Sequence, residues 1–280
     1  MTLFNAILLG IIQGATEFLP VSSSGHLVIF QHFLGITEGN LEFAIVLHLG
    51  TLLAIFIAYW NSVKNMIIEF FKMIGDLFSN KSLCIEKSKY RKYILYILVS
   101  SIPAGIVGVL FEDAIDSVFS SILVVSITLF ITGLLLILGE RIGKRNRRKI
   151  EDLGYRTSFF VGFFQMFAIM PGISRSGSTI VGGLLGGLKK EEAVEFSFLM
   201  SIPAVLGSVL LKIKDIVALG VSESALPLIV GFLCATIIGY LSIKLLENLV
   251  QKGKLVYFSY YCFIVSIGLI IYNVVNAFLA

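Results

Sequence analysis

The sequence predicts an all-α integral membrane protein with about six transmembrane helices and two re-entrant helix-loop-helix hairpins in an inverted-topology repeat. Three observations carry this expectation. First, 57 % of the 280 residues are hydrophobic, 14 % are charged, and the mean hydropathy is +0.94. A soluble domain carries about 25 % charge and needs far more polar surface than this chain owns. Second, the apolar runs are continuous rather than alternating, which selects helices over a barrel. Third, two apolar runs break at a proline followed by a serine-rich turn. The composition excludes a cytosolic globular enzyme, a disordered chain and a nucleic-acid binder.

The first apolar run, Phe4–Leu19, stops at Pro20. Ser22-Ser23-Ser24-Gly25-His26 follows, then a second run, Leu27–Gly35. Pieces of roughly 9–16 residues make helices of about 14–24 Å, too short for a bilayer of roughly 30 Å. Residues 4–35 are therefore expected to dip in and return, buried in protein or lining a wet cavity. Spans near 42–60, 93–111 and 119–139 complete a first repeat, 1–140. The second repeat, 141–280, opens with a hairpin over 157–188. Its apolar run Ser158–Met170 stops at Pro171, Ser174-Arg175-Ser176-Gly177-Ser178 follows, and a new helix starts near Thr179. Spans near 195–211, 226–246 and 257–279 follow; that at 195–211 is short and contains Pro203.

Lysine and arginine orient the spans. Residues 61–92 hold seven, residues 140–156 another seven, of 22 in the chain. The turn between the second and third spans has none but carries Glu112, Asp113 and Asp116. The positive-inside rule puts both basic segments in the cytoplasm. Val63, Met66, Ile67, Phe70, Phe71, Ile74, Leu77 and Phe78 recur at helical spacing, so this segment is expected to lie flat on the inner surface. Cys84, Cys234 and Cys262 are scattered and read as packing residues. No basic region precedes Lys64, so the first thirty residues do not read as a cleavable signal.

The hairpins repeat one another. Gln13, Ser22, Ser24 and Gly25 recur as Gln165, Ser174, Ser176 and Gly177, each 152 residues later. One hairpin plus three spans crosses an odd number of times, so the second copy inserts upside down and the two turns meet inside the membrane. The pair Ser101-Ile102-Pro103-Ala104 and Ser201-Ile202-Pro203-Ala204 is offset by 100 and falls outside that scheme.

The turns place Glu17, His26 and Arg175 in apolar surroundings, where a charge costs about 2.5–3.5 kcal/mol and marks function. Arg175 offers a planar fork suited to phosphate. Ser174, Ser176, Ser178 and Thr179 surround it, and a helix start there makes an anion cradle. Glu17 and Gln13, four apart, offer oxygens to a hard cation such as Mg2+, or a base. His26 can take or give a proton. Ser22, Ser23 and Ser24 are candidate nucleophiles, two of them expected to be caps; spacing does not choose among them. His32 and His48 lack such company and read as packing residues. Gly182, Gly183, Gly186 and Gly187 read as a helix-packing face. The chemistry that fits is a phosphate polyanion on a lipid-soluble molecule.

Gln13–His26 resembles the first motif of the bacitracin-resistance-type undecaprenyl-pyrophosphate phosphatases, and Pro171–Thr179 resembles their second. Leu47–Thr51 and Glu195–Phe198 extend the likeness. Many relatives carry an acid where this chain has Ala44, so that position supplies no carboxylate. The resemblance implies a multi-pass enzyme of the bacterial plasma membrane. It would cut a C55 isoprenyl diphosphate to the monophosphate and inorganic phosphate. A divalent metal at Gln13 and Glu17, and catalytic roles for Glu17, Ser23, His26 and Arg175, are implied. Substrate contacts are expected from Ser22, Ser24, Ser174, Ser176 and Thr179. A polyprenyl diphosphate and the bilayer are the expected partners; nucleic acid is not, and a homodimer stays open. A lipid-phosphate flippase or secondary transporter built on the same inverted repeat is the alternative.

Overall fold

The computed structural model describes residues 2–34, 41–111, 121–144, 146–219 and 224–279. Gly35, Glu112, Asp113, Asp116, Arg145 and residues 119–120 lie outside the described residues. The helices are α1 (Leu3–Phe18), α2 (Ser23–Leu34), α3 (Leu41–Ala58), α4 (Trp60–Asn80), α5 (Lys89–Leu110), α6 (Ile122–Ile142), α7 (Tyr155–Phe167), α8 (Arg175–Leu185), α9 (Lys190–Leu219), α10 (Ala225–Gln251) and α11 (Val256–Leu279).

Five of these, α5, α6, α9, α10 and α11, are long and apolar enough to cross a membrane. A sixth arises from α3, which bends by 92° into α4. The chain is therefore a multi-pass helical membrane protein. The expected span at 195–211 is longer than its apolar core: α9 starts at Lys190, with Glu191 and Glu192 in its first turn, where acids suit the helix dipole. Pro203 sits inside α9 without ending it.

Two helix starts differ from expectation for one reason. The helix expected near Thr179 begins at Arg175, because Ser174 caps it: its Oγ accepts the Gly177 N–H at 3.1 Å. The run expected from Leu27 begins at Ser23, because Ser22 Oγ accepts the Gly25 N–H at 3.2 Å. Of the three serines, only Ser22 caps in this way.

The first arm of each hairpin lies along a span. α1 packs on α10, and α7 packs on α5. Gly10 and Gly162 mark the close approaches: a Cβ at Gly10 would stand 2.8 Å from the Gly231 carbonyl oxygen, and one at Gly162 would strike the Ser100 carbonyl. α6 and α11 pack on each other. Gly182 of α8 and Gly186, which caps its end, seat against Phe164 and Thr157 of α7.

The basic segments gather at one end of the bundle. Glu140, closing α6, accepts from Lys190 Nζ and from the Leu255 N–H, both at 3.0 Å. Glu192 accepts from the Ile150 N–H at 3.0 Å. Ser62 of α4 donates to Glu195 of α9 at 2.6 Å. This end is the cytoplasmic one by the positive-inside rule.

Turned across the spans, α4 buries Val63 and Met73 and leaves Phe70, Phe71, Leu77 and Phe78 exposed. Such a face belongs in the lipid–water interface. Arg91 fastens α4 to α5. Its Nε donates to Glu69 at 2.8 Å and its Nη1 to Asp76 at 2.6 Å, with the Leu83 and Cys84 carbonyls completing the shell.

Hydrogen bonds from Arg91 hold the Glu69 and Asp76 carboxyls below their ordinary range. A depressed carboxyl stabilises the fold above its ordinary pKa and loses that contribution as pH falls through its folded value. Amide exchange across residues 60–80, corrected for intrinsic rate, should be slow at pH 7 and rise below about pH 4. Arg91→Ala should give the fast exchange at pH 7. Equal protection at pH 7 and pH 3 would contradict the clamp.

Candidate active site

Both hairpin turns end on the same spot. The Gly25 side meets Gly172, and Gly177 meets Pro20. Ser176 Oγ donates to the Leu19 carbonyl at 3.4 Å. The capping pattern is the same in both turns: Ser22 Oγ lies 3.2 Å from Ser24 Oγ, and Ser174 Oγ lies 3.2 Å from Ser176 Oγ. α6 braces the second turn. Thr128 Oγ1 donates to the Pro171 carbonyl at 2.6 Å and Thr132 Oγ1 to the Gly172 carbonyl at 3.0 Å. Gly172 has φ +88°, and a Cβ there would collide with Thr128 Oγ1.

At this junction Arg175 Nη2 donates to Glu17 Oε1 in a salt bridge. The other carboxylate oxygen, Oε2, accepts from Ser23 Oγ at 2.6 Å and from Gln13 Nε2 at 2.9 Å. Glu17 is thus a buried hub whose charge is met by one cation and two neutral donors, which is what an acid in apolar surroundings requires. Arg175 Nη1, Gln13 Oε1 and both polar atoms of Gln165 are buried with no hydrogen-bond partner. Such orphans are costly unless a ligand satisfies them.

A cavity of about 710 Å³ opens beside the hub. Its polar wall includes Glu17, Ser22, Ser23, Ser24, Arg175 and two residues that sequence reasoning did not select, His48 and Gln165; Ser101 and Ser208 add hydroxyls from α5 and α9. His48 Nδ1 donates to the Ala44 carbonyl at 2.8 Å, so its Nε2 is the acceptor in the neutral ring. Its one sequence signal was a polar residue inside an apolar span. Gln165 is the repeat partner of Gln13, and that offset could have flagged it. The apolar wall comes from α5 and α9: Ala104, Gly105 and Gly108 face Pro203, Ala204 and Gly207. The two Ser-Ile-Pro-Ala segments therefore flank one cavity, although their offset does not fit the repeat.

Other predicted residues sit behind the wall. Ser174 and Ser176 hold the turn. Thr179 Oγ1 donates to the Arg175 carbonyl at 2.8 Å and lies 2.5 Å from Ser197 Oγ. His26 does not line the cavity. Its Nδ1 donates to the Ser22 carbonyl at 2.8 Å, leaving Nε2 to accept from Tyr261 OH at 2.6 Å.

No group of three or more His, Cys, Asp or Glu exists among the described residues to hold a metal. The donors fit an ion that arrives with phosphate oxygens: one carboxylate, Glu17, beside the unpartnered Gln13 Oε1. Mg2+ is commonly held by one or two carboxylates plus substrate phosphates.

A guanidinium, hydroxyls and orphaned polar atoms gathered at one cavity inside a helical membrane bundle define a multi-pass membrane protein with a buried polar site suited to an anion. The chain belongs to the bacitracin resistance protein BacA family, whose profile matches residues 6–268. An undecaprenyl-diphosphatase of Alkaliphilus metalliredigens is 46 % identical over 275 residues, covering 98 % of this chain and 99 % of the relative. Undecaprenyl-diphosphatases of Halothermothrix orenii and Methanobrevibacter smithii are 43 % and 42 % identical, covering 97 % and 99 % of this chain and 98 % and 100 % of the relatives.

Gly172→Ala should lower thermal stability in detergent by about 1–3 kcal/mol from backbone strain alone. Gly268→Ala, where a Cβ meets open space, should not lower it. Equal melting of the two variants would show that the second turn is not held as described.

Proposed function

We propose that this chain hydrolyses undecaprenyl diphosphate to the monophosphate and inorganic phosphate, recycling the lipid carrier of cell-wall synthesis in the plasma membrane. Where bacitracin captures the diphosphate, such activity confers resistance. The Glu17–Arg175 hub on the wall of a cavity of about 710 Å³ that runs between α5 and α9 carries this reading. The named relatives support it.

The lipid tail lies in the slot between α5 and α9. The slot runs from the hub towards Val109 and Leu210, away from the basic end of the bundle, so the substrate is drawn from the outer leaflet. The diphosphate meets Arg175, whose Nη1 has no protein partner. As phosphate takes the guanidinium, Glu17 loses its counter-charge and becomes a stronger base. Ser23 Oγ already donates to that carboxylate. Either Ser23 Oγ or a water then attacks the terminal phosphorus in line, its proton passing to Glu17 and the P–O–P bond to the lipid monophosphate breaking. If Ser23 attacks, water releases phosphate in a second displacement. Mg2+ held by Glu17 and Gln13 would supply further charge neutralisation. Ser22 and Ser24 contact the head group from the wall, while Ser174, Ser176 and Thr179 keep Arg175 in place. His26 holds the Ser22 carbonyl in this form; an acid or base role requires Nε2 to leave Tyr261.

We read residues 1–140 and 141–280 as the two inverted repeats. The matching caps and the matching α1–α10 and α7–α5 contacts support that division.

Arg175→Ala and Glu17→Ala should each lower phosphate release at least about 100-fold, roughly 2.7 kcal/mol of transition-state stabilisation. Arg175→Lys, which keeps charge but loses the fork, should recover part of the rate. Retention of more than about a tenth of wild-type turnover by both folded alanine variants would sink the assignment. Release by detergent-solubilised protein without a gradient separates hydrolysis from transport.

Gly108→Leu or Gly207→Leu should fill the slot, since neither position is crowded. Turnover of the long-chain substrate should fall at least about tenfold, the scale of an overpacking cost of 1–3 kcal/mol. A short-chain diphosphate should be spared. Equal loss on both substrates would place the tail elsewhere.

A further inference from the structure

A second cavity, of about 440 Å³, lies at the opposite, basic end of the bundle. It is walled by the end of α6, the start of α9 and the α10–α11 turn, three segments far apart in sequence. Its floor is a built ion pair. Glu140 is only 9 % exposed, and its two oxygens are consumed by Lys190 Nζ and the Leu255 N–H. Gly253, at φ +68°, brings the turn down onto that pair: a Cβ would stand 3.0 Å from Glu140 Oε1 and 3.2 Å from Lys190 Nζ.

The walls are not balanced in charge. Lys144, Arg147 and Lys252 line the cavity with no carboxylate within ion-pair distance among the described residues. Lys189 reaches Glu192 only at 3.5 Å. One carboxylate, Glu191, stands against them without a partner. Bringing three unpaired cations from two segments around one concavity concentrates positive potential there, which an anion would offset. The position fits the bilayer surface. Tyr257, half exposed in the first turn of α11, has Lys254 Nζ 5.5 Å from its ring centroid, an arrangement of the interfacial belt. Basic pockets between spans on the cytoplasmic side suit phosphate-bearing head groups.

We propose that this cavity is a second anion site, separate from the hydrolytic one, that takes a phosphate group at the cytoplasmic surface. The phosphate comes either from an anionic membrane lipid or from solution. Lys144, Arg147 and Lys252 ligate it. The Glu140–Lys190 pair fixes the floor without contributing net charge.

The test compares wild-type protein with the Lys144→Gln/Arg147→Gln/Lys252→Gln variant. One arm measures phosphatidylglycerol against phosphatidylcholine retained by each protein from mixed nanodiscs, by native mass spectrometry. The other measures thermal stabilisation by inorganic phosphate in lipid-free detergent; binding at the hydrolytic site is common to both proteins and cancels. Each lost cation should cut phosphatidylglycerol enrichment by about fivefold if the lipid is the source. Loss of the phosphate-dependent stabilisation alone assigns the site to soluble phosphate. Both outcomes support the site. Unchanged enrichment together with unchanged phosphate stabilisation overturns it. Wild-type turnover in detergent certifies that the variant is folded. If the triple variant does not fold, Lys252→Glu alone, at an exposed position, carries the same two readouts.

Discussion

The salt bridge between Glu17 and Arg175 joins residues 158 apart and is the constraint on which the rest depends. A lone carboxylate or guanidinium at membrane depth is expensive. Paired, each makes the other tolerable, and the turns that carry them must then meet. Pro20 and Pro171 stop the incoming helices just short of the junction. The serine caps start the outgoing ones just past it. The spans are scaffolding for that meeting point, with α6 holding one turn by Thr128 and Thr132.

The pair is also unfinished. Arg175 and Gln165 each keep a buried N–H group without a partner, and Gln13 and Gln165 each keep a buried carbonyl oxygen without one. An interior that leaves donors open next to a cavity is arranged for a ligand that will use them. Phosphate suits the guanidinium, and in the proposed mechanism its arrival releases Glu17 to accept the Ser23 proton. On that proposal binding and activation are one event, a coupling that a charge pair provides and a neutral contact does not.

Much of this was legible in the residues. Continuous apolar runs locate the spans, and proline followed by serines locates the hairpin turns. The four matched positions at one offset tie Gln13 to Gln165 and Ser22 to Ser174. Helix starts were less legible. Serine serves equally as cap, ligand or nucleophile, and only the hydrogen bonds separate Ser22, a cap, from Ser23, a partner of Glu17. His26 had the right neighbours in sequence, yet its ring turns to Ser22 and Tyr261. His48 had no neighbours in sequence and reaches the cavity through the packing of α3. Contacts between distant helices carry no local signature, so α5 and α9 could not be recognised as the two walls of one slot.

The most direct measurement is an experimental structure of the chain with pyrophosphate bound in a lipid environment. The account predicts phosphate oxygens on the Arg175 guanidinium and beside Ser23, with the original salt bridge opened and both hairpin turns in contact with the ligand. Pyrophosphate seated elsewhere, with the guanidinium still closed on the Glu17 carboxylate, would contradict it.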